Sequence, residues 1–239
     1  MRDELQAAQP MNPHVTFKVT TVDDLGIKPK DNNLRGGGYF NLADGTPWCT
    51  AGFNVISETG VKGTTTAKHC ADDPYLIYLN HPARDDNRTT VSRMYRAPDY
   101  DIARYQGGDL TYTRTFYYEL NLPRYATNWS VPAVTNIPMC TFGRTSATQG
   151  LGARCGKVTQ LSVGWDDGFE DNFETDTSTL GGDSGGPAYW GGTAYGILYA
   201  GEDPPGSVLH SYHAKVWNIP KAGGFGTANP WQVWTCNTC

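Results

Sequence analysis

The sequence lacks long apolar segments, and it has few charged residues and only five histidines. No stretch approaches the roughly 18 consecutive apolar residues of a membrane-spanning helix, and the opening MRDELQAAQPMNPH lacks the apolar centre of a signal peptide. Basic stripes and long charge runs are absent, and the formal net charge is -5. We therefore expect no nucleic acid and no membrane among the partners, and no targeting segment in this opening stretch.

Internal repeats, low-complexity tracts and long helical patterns are also absent. Strand-like runs such as WCTAGFNVIS, YLIYLN and GTAYGILYA alternate with clusters of Gly, Asp, Asn and Pro. The 28 glycines and 15 prolines fit many short strands joined by turns better than long helices. The sequence therefore predicts an all-β protein, with a short helix in AKVWNIPKAGG that Pro220 would interrupt.

The chain divides by composition into three parts. A length of 239 residues allows one large all-β domain or two smaller units. Residues 1–33 differ from the rest, because VTFKVTTV alternates like a strand and DDLGIKPKDNN is polar and rich in turn residues. We predict an extension or pro-segment remnant over 1–33, a main domain over 34–225, and a tail with two tryptophans and two cysteines over 226–239.

The six cysteines form an even set without the clustering of a metal site, except at the terminal pair. An even set favours disulfides in an oxidising compartment, so we expect a secreted protein. Cys236 and Cys239 offer only two ligands with no histidine or cysteine nearby, which falls short of a zinc site. We predict no metal and no cofactor, and a local or inter-segment disulfide for this pair.

The stretch TLGGDSGGPAYW places Ser184 between glycines and behind an aspartate. A serine hydroxyl is a poor nucleophile unless a base, usually histidine, takes its proton and a carboxylate orients that base. His69 in GTTTAKHCA is the best placed histidine, and Asp101 in DYDIARY is preferred over Asp99 because an apolar pair follows it. The candidate triad is therefore His69, Asp101 and Ser184.

In that order, TAKHC, DIA and GDSGGP resemble the signatures of chymotrypsin-like serine proteases. WCTAGFNVIS and MCTFGRTS…ARCGKVTQL resemble segments of the bacterial streptogrisin and α-lytic protease branch, and the resemblance spans residues 34–217. It implies two six-stranded antiparallel β-barrels with the active site in the cleft between them. It also implies a secreted endopeptidase that cleaves protein or peptide substrates through an acyl-enzyme, and we expect a monomer.

The resemblance also assigns roles. Ser184 would attack the scissile carbonyl, His69 would take and return the proton, and Asp101 would orient the imidazole. The amides of Gly182 and Ser184 would form the oxyanion hole. The implied disulfides are Cys49–Cys70 and Cys140–Cys155.

Substrate contacts follow from the same resemblance. Tyr199–Gly201 would pair with the main chain of the substrate. The side pocket would be lined by Ser178, Thr179, Tyr199, Ala200, Gly201 and the run from Ser211 to His213. Because Ser178 is not an aspartate, a preference for Lys or Arg is disfavoured, and we expect a large apolar or aromatic side chain. The alternative is an acidic side chain bound by His213 or His210.

Two departures from the family pattern concern the nucleophile loop. Ser178 stands where the bacterial branch has a cysteine, and Thr141 stands where it has an arginine that neutralises the aspartate beside the nucleophile. Asp183 therefore lacks its expected partner, and Arg144 is the nearest candidate in sequence. In the animal-type alternative, cleavage creates a new apolar N-terminus that inserts beside this aspartate. That alternative is poorly supported, because NLRGGG offers no Ile-Val start. Cleavage before Leu34 is the form of it that could be tested.

Two other functions compete with a protease. In an α/β-hydrolase esterase, Ser184 would be followed by Asp203 and by His210 or His213. That fold needs long helices between its strands and leaves TAKHC unexplained. A non-enzymatic homologue that binds partners through the protease scaffold is favoured only by the missing partner of Asp183.

Overall fold

The computed structural model describes residues 31–80, 88–164, 171–202, 210–220, 230–236 and 238–239. Residues Asn32–Cys239 form a compact unit of their own. The predicted extension over 1–33 lies almost wholly outside the described residues and stays a prediction. None of the helices in the described residues has the length and apolar character needed to cross a membrane.

Short strands make up most of the described chain, which confirms the prediction of an all-β protein. In chain order they are β1 (Asn33–Gly36), β2 (Tyr39–Asn41), β3 (Pro47–Thr50), β4 (Asn54–Ser57), β5 (Lys62–Thr66), β6 (Tyr75–Leu79), β7 (Arg88–Arg96), β8 (Ala103–Gln106), β9 (Thr111–Glu119), β10 (Leu122–Tyr125), β11 (Asn128–Trp129), β12 (Pro138–Thr141), β13 (Arg154–Val163), β14 (Asn172–Thr175), β15 (Pro187–Trp190), β16 (Thr193–Glu202), β17 (His210–Lys215) and β18 (Trp231–Val233).

Within the residues that the structure describes, helical structure is limited to short pieces. One α-helix, α1, spans Arg144–Thr148, and single 3-10 turns span Lys68–Cys70 and Val216–Asn218. The second turn lies where the sequence predicted a short helix. It ends before Pro220, as expected for a residue that cannot continue a helix.

The second half of the chain closes into a six-stranded antiparallel barrel, as the resemblance implied. Its strands follow one another as β16, β15, β12, β13, β14 and β17, and β17 then pairs with β16 to close the ring. Closure removes the exposed strand edges that would otherwise attract other chains. Met139, Val158, Phe173 and Ala188 fill part of its interior.

Seven strands of the first half, β2 to β8, form an antiparallel sheet together with β18, so that this sheet has eight strands rather than six, in the order β18, β4, β5, β8, β7, β6, β2 and β3. The additional edge strand is β18, from the tail that fitted no sequence pattern. Its residues Trp231 and Val233 are buried against β4, since Trp231 pairs with Ser57 and Val233 with Val55. The tail therefore supplies an edge strand of the first sheet through Trp231–Val233.

Strand β1 begins one residue before the predicted domain boundary. Asn33 pairs with Thr111 of β9, and Leu34 is fully buried. A cleavage before Leu34 would therefore cut inside a paired strand. Together β1, β9 and β10 form a third sheet of three strands.

One hydrophobic cluster contains residues of both large sheets. Phe53, Val55 and Ile102 from the first half share it with Ile197 and Ala214 from the second. Ile102 directly follows Asp101. Close packing of Ile102 in this cluster therefore also holds the backbone of Asp101, a candidate site residue, in place.

Candidate active site

A cavity of about 420 Å³ lies where the two large sheets meet. From the first half of the chain it is lined by His69, and from the second half by Thr179, Leu180, Gly181, Ser184, Leu198, Tyr199, Ala200 and Gly201. His69 and Ser184 are thus brought to the same cavity although 115 residues separate them in the sequence. Leu180, Gly181 and Leu198 were not singled out from the sequence, although the first two directly precede the predicted oxyanion glycine.

His69 is held by the carboxylate of Asp101. His69 Nδ1 lies 2.7 Å from Asp101 Oδ2, and the backbone amide of His69 donates to Asp101 Oδ1 at 2.9 Å. Asp101 is fully buried, whereas 44% of the His69 side chain is exposed. Asp99, the competing aspartate, is exposed. With Nδ1 engaged by Asp101, Nε2 is the ring nitrogen left for chemistry in the cavity.

The chain segments that carry His69 and Asp101 are held in place by the residues that follow them. Cys70 is joined to Cys49 by a disulfide, and its carbonyl accepts a hydrogen bond from Trp48 Nε1 at 2.9 Å. Beyond Asp101, Ile102 and Ala103 are fully buried, as the apolar pair after this aspartate led us to expect. Disulfide Cys140–Cys155 is also present, as the resemblance implied, and Cys236 is joined to Cys239, the local one of the two alternatives that the sequence left open.

The chain around Ser184 turns through two glycines that no other residue could replace easily. Gly182 and Gly185 have φ angles of +93° and +88°, in the left-handed region that favours glycine. A Cβ atom on Gly185 would lie 2.1 Å from Thr66 Oγ1. Thr50 donates its amide to the Ser184 carbonyl at 2.9 Å, so β3 holds the serine backbone from the other half of the chain.

Backbone amides on this turn fall into two groups. The amides of Asp183, Gly185 and Gly186 donate to carbonyls of Leu180, Leu198 and Asp183, at 2.8 to 2.9 Å. Within the described part of the chain, the amides of Gly182 and Ser184 donate no such bond. Two donors are thus left beside the serine hydroxyl.

Asp183 has a different partner from the one the sequence suggested. Its carboxylate accepts hydrogen bonds from the amide and the hydroxyl of Ser146, the first at 2.9 Å, and from the amide of Leu180 at 2.9 Å. The guanidinium of Arg144 donates instead to Phe40 O at 2.9 Å and to Asn41 Oδ1. Arg144 is therefore close without being the hydrogen-bond partner, and the carboxylate, 1% exposed, is satisfied.

The predicted side-pocket residues divide into two groups. Thr179, Tyr199, Ala200 and Gly201 line the cavity. Ser178 is not among the residues that line it. The Ser178 hydroxyl instead accepts a hydrogen bond from Arg154 Nη2. Tyr199 sits at a register shift between β16 and β17, and its ring centroid is 6.1 Å from that of His69. Such a bulge turns a side chain toward a site instead of keeping it in the sheet pattern.

His213, predicted as a contact for an acidic substrate, is buried in the second barrel and does not line the cavity. Its ring stacks on Phe173 with centroids 4.8 Å apart, and Nε2 lies 3.1 Å from Thr175 Oγ1. Complete burial lowers the pKa of His213 to about 3, so the ring is neutral at pH 7. The other candidate, His210, has Nδ1 at 2.9 Å from Glu174 Oε1 and also lies outside the cavity lining.

Comparison with known proteins finds sequence similarity to a bacterial protein. No family model matches the sequence. The chain is 28% identical over 171 residues to Serine protease 2 of Streptomyces fradiae, an alignment that covers 69% of this chain and 93% of that protein.

Solved structures share the fold. Chymotrypsin of Cellulomonas bogoriensis superimposes with a TM-score of 0.63 and 22% identity over 85% of this chain and all of that one. A glutamic acid-specific serine protease described as using a histidine triad in substrate binding gives a TM-score of 0.65 and 22% identity over 84% and 100% of the two chains. The chain is thus similar in sequence to a bacterial serine protease, and it has the fold of the bacterial chymotrypsin-like and α-lytic-like proteases.

Proposed function

We propose that the protein is a secreted endopeptidase that cleaves peptide bonds with Ser184 as nucleophile, His69 as general base and acid, and Asp101 as the group that orients His69. The observation that carries the proposal is the two-point contact of the buried Asp101 carboxylate with His69, at 2.7 and 2.9 Å, on the wall of a cavity that also contains Ser184. Chemistry of this kind needs those three groups in that order of contact.

The mechanism follows from which atoms are already engaged. His69 Nε2 takes the proton of the Ser184 hydroxyl as its oxygen attacks the scissile carbonyl, and the same proton then passes to the leaving amine. Asp101 keeps the proton of His69 on Nδ1 and stabilises the imidazolium that forms. Water, activated by the same imidazole, later hydrolyses the acyl-enzyme.

The amides of Gly182 and Ser184 bind the oxyanion that develops on the attacked carbonyl. Both are without a backbone acceptor in the described residues, and the φ angle of +93° at Gly182 supports the turn that this role requires. The satisfied carboxylate of Asp183, between these two residues, disfavours the non-enzymatic alternative, which depended on its lack of a partner.

We further propose that Tyr199–Gly201 binds the main chain of the substrate. Strand β16 pairs with β15 only through Thr193–Ile197, whereas it pairs with β17 as far as Glu202. One edge of Tyr199–Gly201 therefore faces the cavity and is suited to adding a substrate strand.

The preferred side chain before the cleaved bond is large and apolar or aromatic. Leu180, Leu198 and Tyr199 supply apolar surface, and Thr179 supplies a hydroxyl that lies 3.1 Å from that of Ser211. An acidic side chain is the second choice. It is disfavoured because His213 is neutral and buried, and because Arg154 is engaged by Ser178.

Secretion is supported by the three disulfides of the described residues, which persist in an oxidising compartment. The expected substrates are proteins and peptides. A monomeric state stays a prediction.

Fluorophosphonate labelling followed by peptide mass spectrometry tests the triad. We expect one adduct, on Ser184, in the wild-type protein and in His210→Ala, a control that removes a histidine outside the cavity. The adduct should be lost in His69→Ala. Labelling of another residue, or none in a folded wild-type protein, would contradict the proposal, and the latter would favour a binding role. A peptide library then compares Phe, Leu and Glu before the cleaved bond.

A further inference from the structure

The short helix α1 contacts the loop that carries the proposed oxyanion amides, and the sequence suggested a role only for its first residue, Arg144, and none for Ser146. This inference rests on the proposed function of Ser184 and concerns how its oxyanion hole is held. Within the described residues, the contacts come from Gly143, immediately before the helix, and from Thr145 and Ser146 in its first turn.

Asp183 is a buried carboxylate that needs compensation for the water it has lost. Ser146 supplies two of its three described hydrogen bonds, one from the amide and one from the hydroxyl. The amide of Ser146 is among the first amides of α1, which have no acceptor inside the helix. The Asp183 carboxylate thus supplies the acceptor that the Ser146 amide lacks inside the helix, and Ser146 supplies two hydrogen-bond donors to the buried carboxylate.

Gly143 makes this exchange sterically feasible. The residue before a helix often supplies a capping side chain of its own, but Gly143 has none. A Cβ atom at this position would lie 2.2 Å from Asp183 Cγ, so any other residue would displace the carboxylate. The space that a side chain would take at 143 is filled by Asp183.

Thr50 connects the same helix to the adjoining peptide group. Its hydroxyl accepts a hydrogen bond from the amide of Arg144 at 2.9 Å and donates one to the carbonyl of Gly182 at 2.9 Å. A Cβ atom on Gly182 would meet Thr145 Oγ1 at 2.4 Å. The peptide between Gly182 and Asp183, which lies between the two proposed oxyanion donors, is therefore held at its carbonyl by Thr50 and at the following side chain by Ser146.

We propose that Ser146 is a positioning residue for the oxyanion hole: it acts through Asp183, in place of the arginine that the resemblance leads one to expect at Thr141. Gly143 is its steric complement. Ser146 touches no substrate and no reacting atom, so its effect reaches the reaction only through the orientation of the Gly182 and Ser184 amides.

Steady-state kinetics of Ser146→Ala and Ser146→Thr, with an ester and a peptide amide substrate, tests the proposal. Ser146→Ala keeps the backbone amide, so we expect a partial loss, with kcat lower by about 10- to 100-fold and KM nearly unchanged, because oxyanion contacts act in the transition state. Ser146→Thr retains the hydroxyl and should recover most of kcat. Thr148→Ala, an exposed change on the same helix, is the matched control and should behave as wild type.

A boronic acid inhibitor gives a readout that a purely structural role would not change. A tetrahedral boronate uses the oxyanion hole, whereas a product peptide does not depend on it in the same way. Ser146→Ala should therefore weaken boronate binding in parallel with kcat and leave product-peptide affinity within about twofold of wild type. Equal losses for both ligands, or a kcat equal to wild type, would overturn the proposal.

A second variant covers the case in which Ser146→Ala does not fold. Ser146→Cys keeps the side-chain volume and replaces the hydroxyl by a weak donor, and the same kcat and boronate losses are expected. If the wild-type protein labels at Ser184 while these variants match it, the role of Ser146 is refuted and the triad stands. If Ser184 of the folded wild-type protein is not labelled by the fluorophosphonate, the proposed function is refuted, and the role of Ser146, which depends on that function, is refuted with it.

Discussion

His213 should make the folded protein sensitive to acid well above the pH at which its own ring is protonated. The ring is fully buried, and burial lowers its pKa to about 3 from an ordinary value of 6.5. Below pH 6.5 the unfolded chain takes up a proton on this histidine while the folded chain does not. Stability from this group is therefore complete above pH 6.5 and is lost as pH falls toward 3.

The magnitude follows from the difference between these two pKa values. Each pH unit within that window is worth about 1.4 kcal/mol once the unfolded histidine is mostly protonated. Because titration of the unfolded state is only half complete at pH 6.5, the loss between pH 6.5 and 4.5 is about 2 kcal/mol. Carboxylates add their own acid dependence, so the contribution of His213 has to be isolated by a variant.

His213→Phe removes the titration and keeps a ring to stack on Phe173. We would measure the free energy of unfolding by urea titration from pH 7 to 4.5, following tryptophan fluorescence with the disulfides intact and in a Ser184→Ala background that prevents self-digestion. The variant and the Ser184→Ala reference can differ in free energy of unfolding at pH 7. Between pH 7 and 4.5, the free energy of unfolding of the variant should fall by about 2 kcal/mol less than that of the reference. Tyr212→Phe, on the same strand, should run parallel to the reference. Parallel curves for His213→Phe as well would refute a buried neutral histidine.

Three further predictions follow from contacts in the structure. Trp231→Ala removes a 6%-exposed side chain of the tail strand and should lower the free energy of unfolding by about 3–5 kcal/mol. Trp48→Ala, at a 38%-exposed site, should cost much less in the same thermal or urea assay. Asp101→Asn should lower kcat by about 10⁴, the loss known for the template of this chemistry, and an ester-hydrolysis loss under tenfold would contradict the role proposed for Asp101. Replacing both cysteines of Cys49–Cys70 by alanine should cost about 2–4 kcal/mol and slow labelling of Ser184, whereas unchanged labelling in a folded variant would separate the disulfide from the site.

Much of the fold and of the candidate site could be predicted from the sequence because the informative patterns are short. Alternating runs and glycine-rich turns indicated an all-β protein, and the closed six-stranded barrel of the second half confirms it. The preference for Asp101 over Asp99 came from the apolar pair that follows, and Ile102 and Ala103 are buried. Local backbone preference and burial act on a few adjacent residues, so they can be recognised without a structure.

What only the tertiary structure decided involves residues distant in the chain. Ser146 lies 37 positions from Asp183, and no spacing rule connects a serine in a short helix with a carboxylate in a turn. His213 has the residue type of a ligand for an acidic substrate, but its surroundings in the barrel make it a neutral core residue. The tail fitted no pattern because a strand of three residues carries too little periodicity, and only pairing with β4 defines it. Sequence therefore determined which groups could do the chemistry, whereas packing decided which charges are compensated and which side chains reach the cavity, because both depend on neighbours that the chain brings together only when it folds.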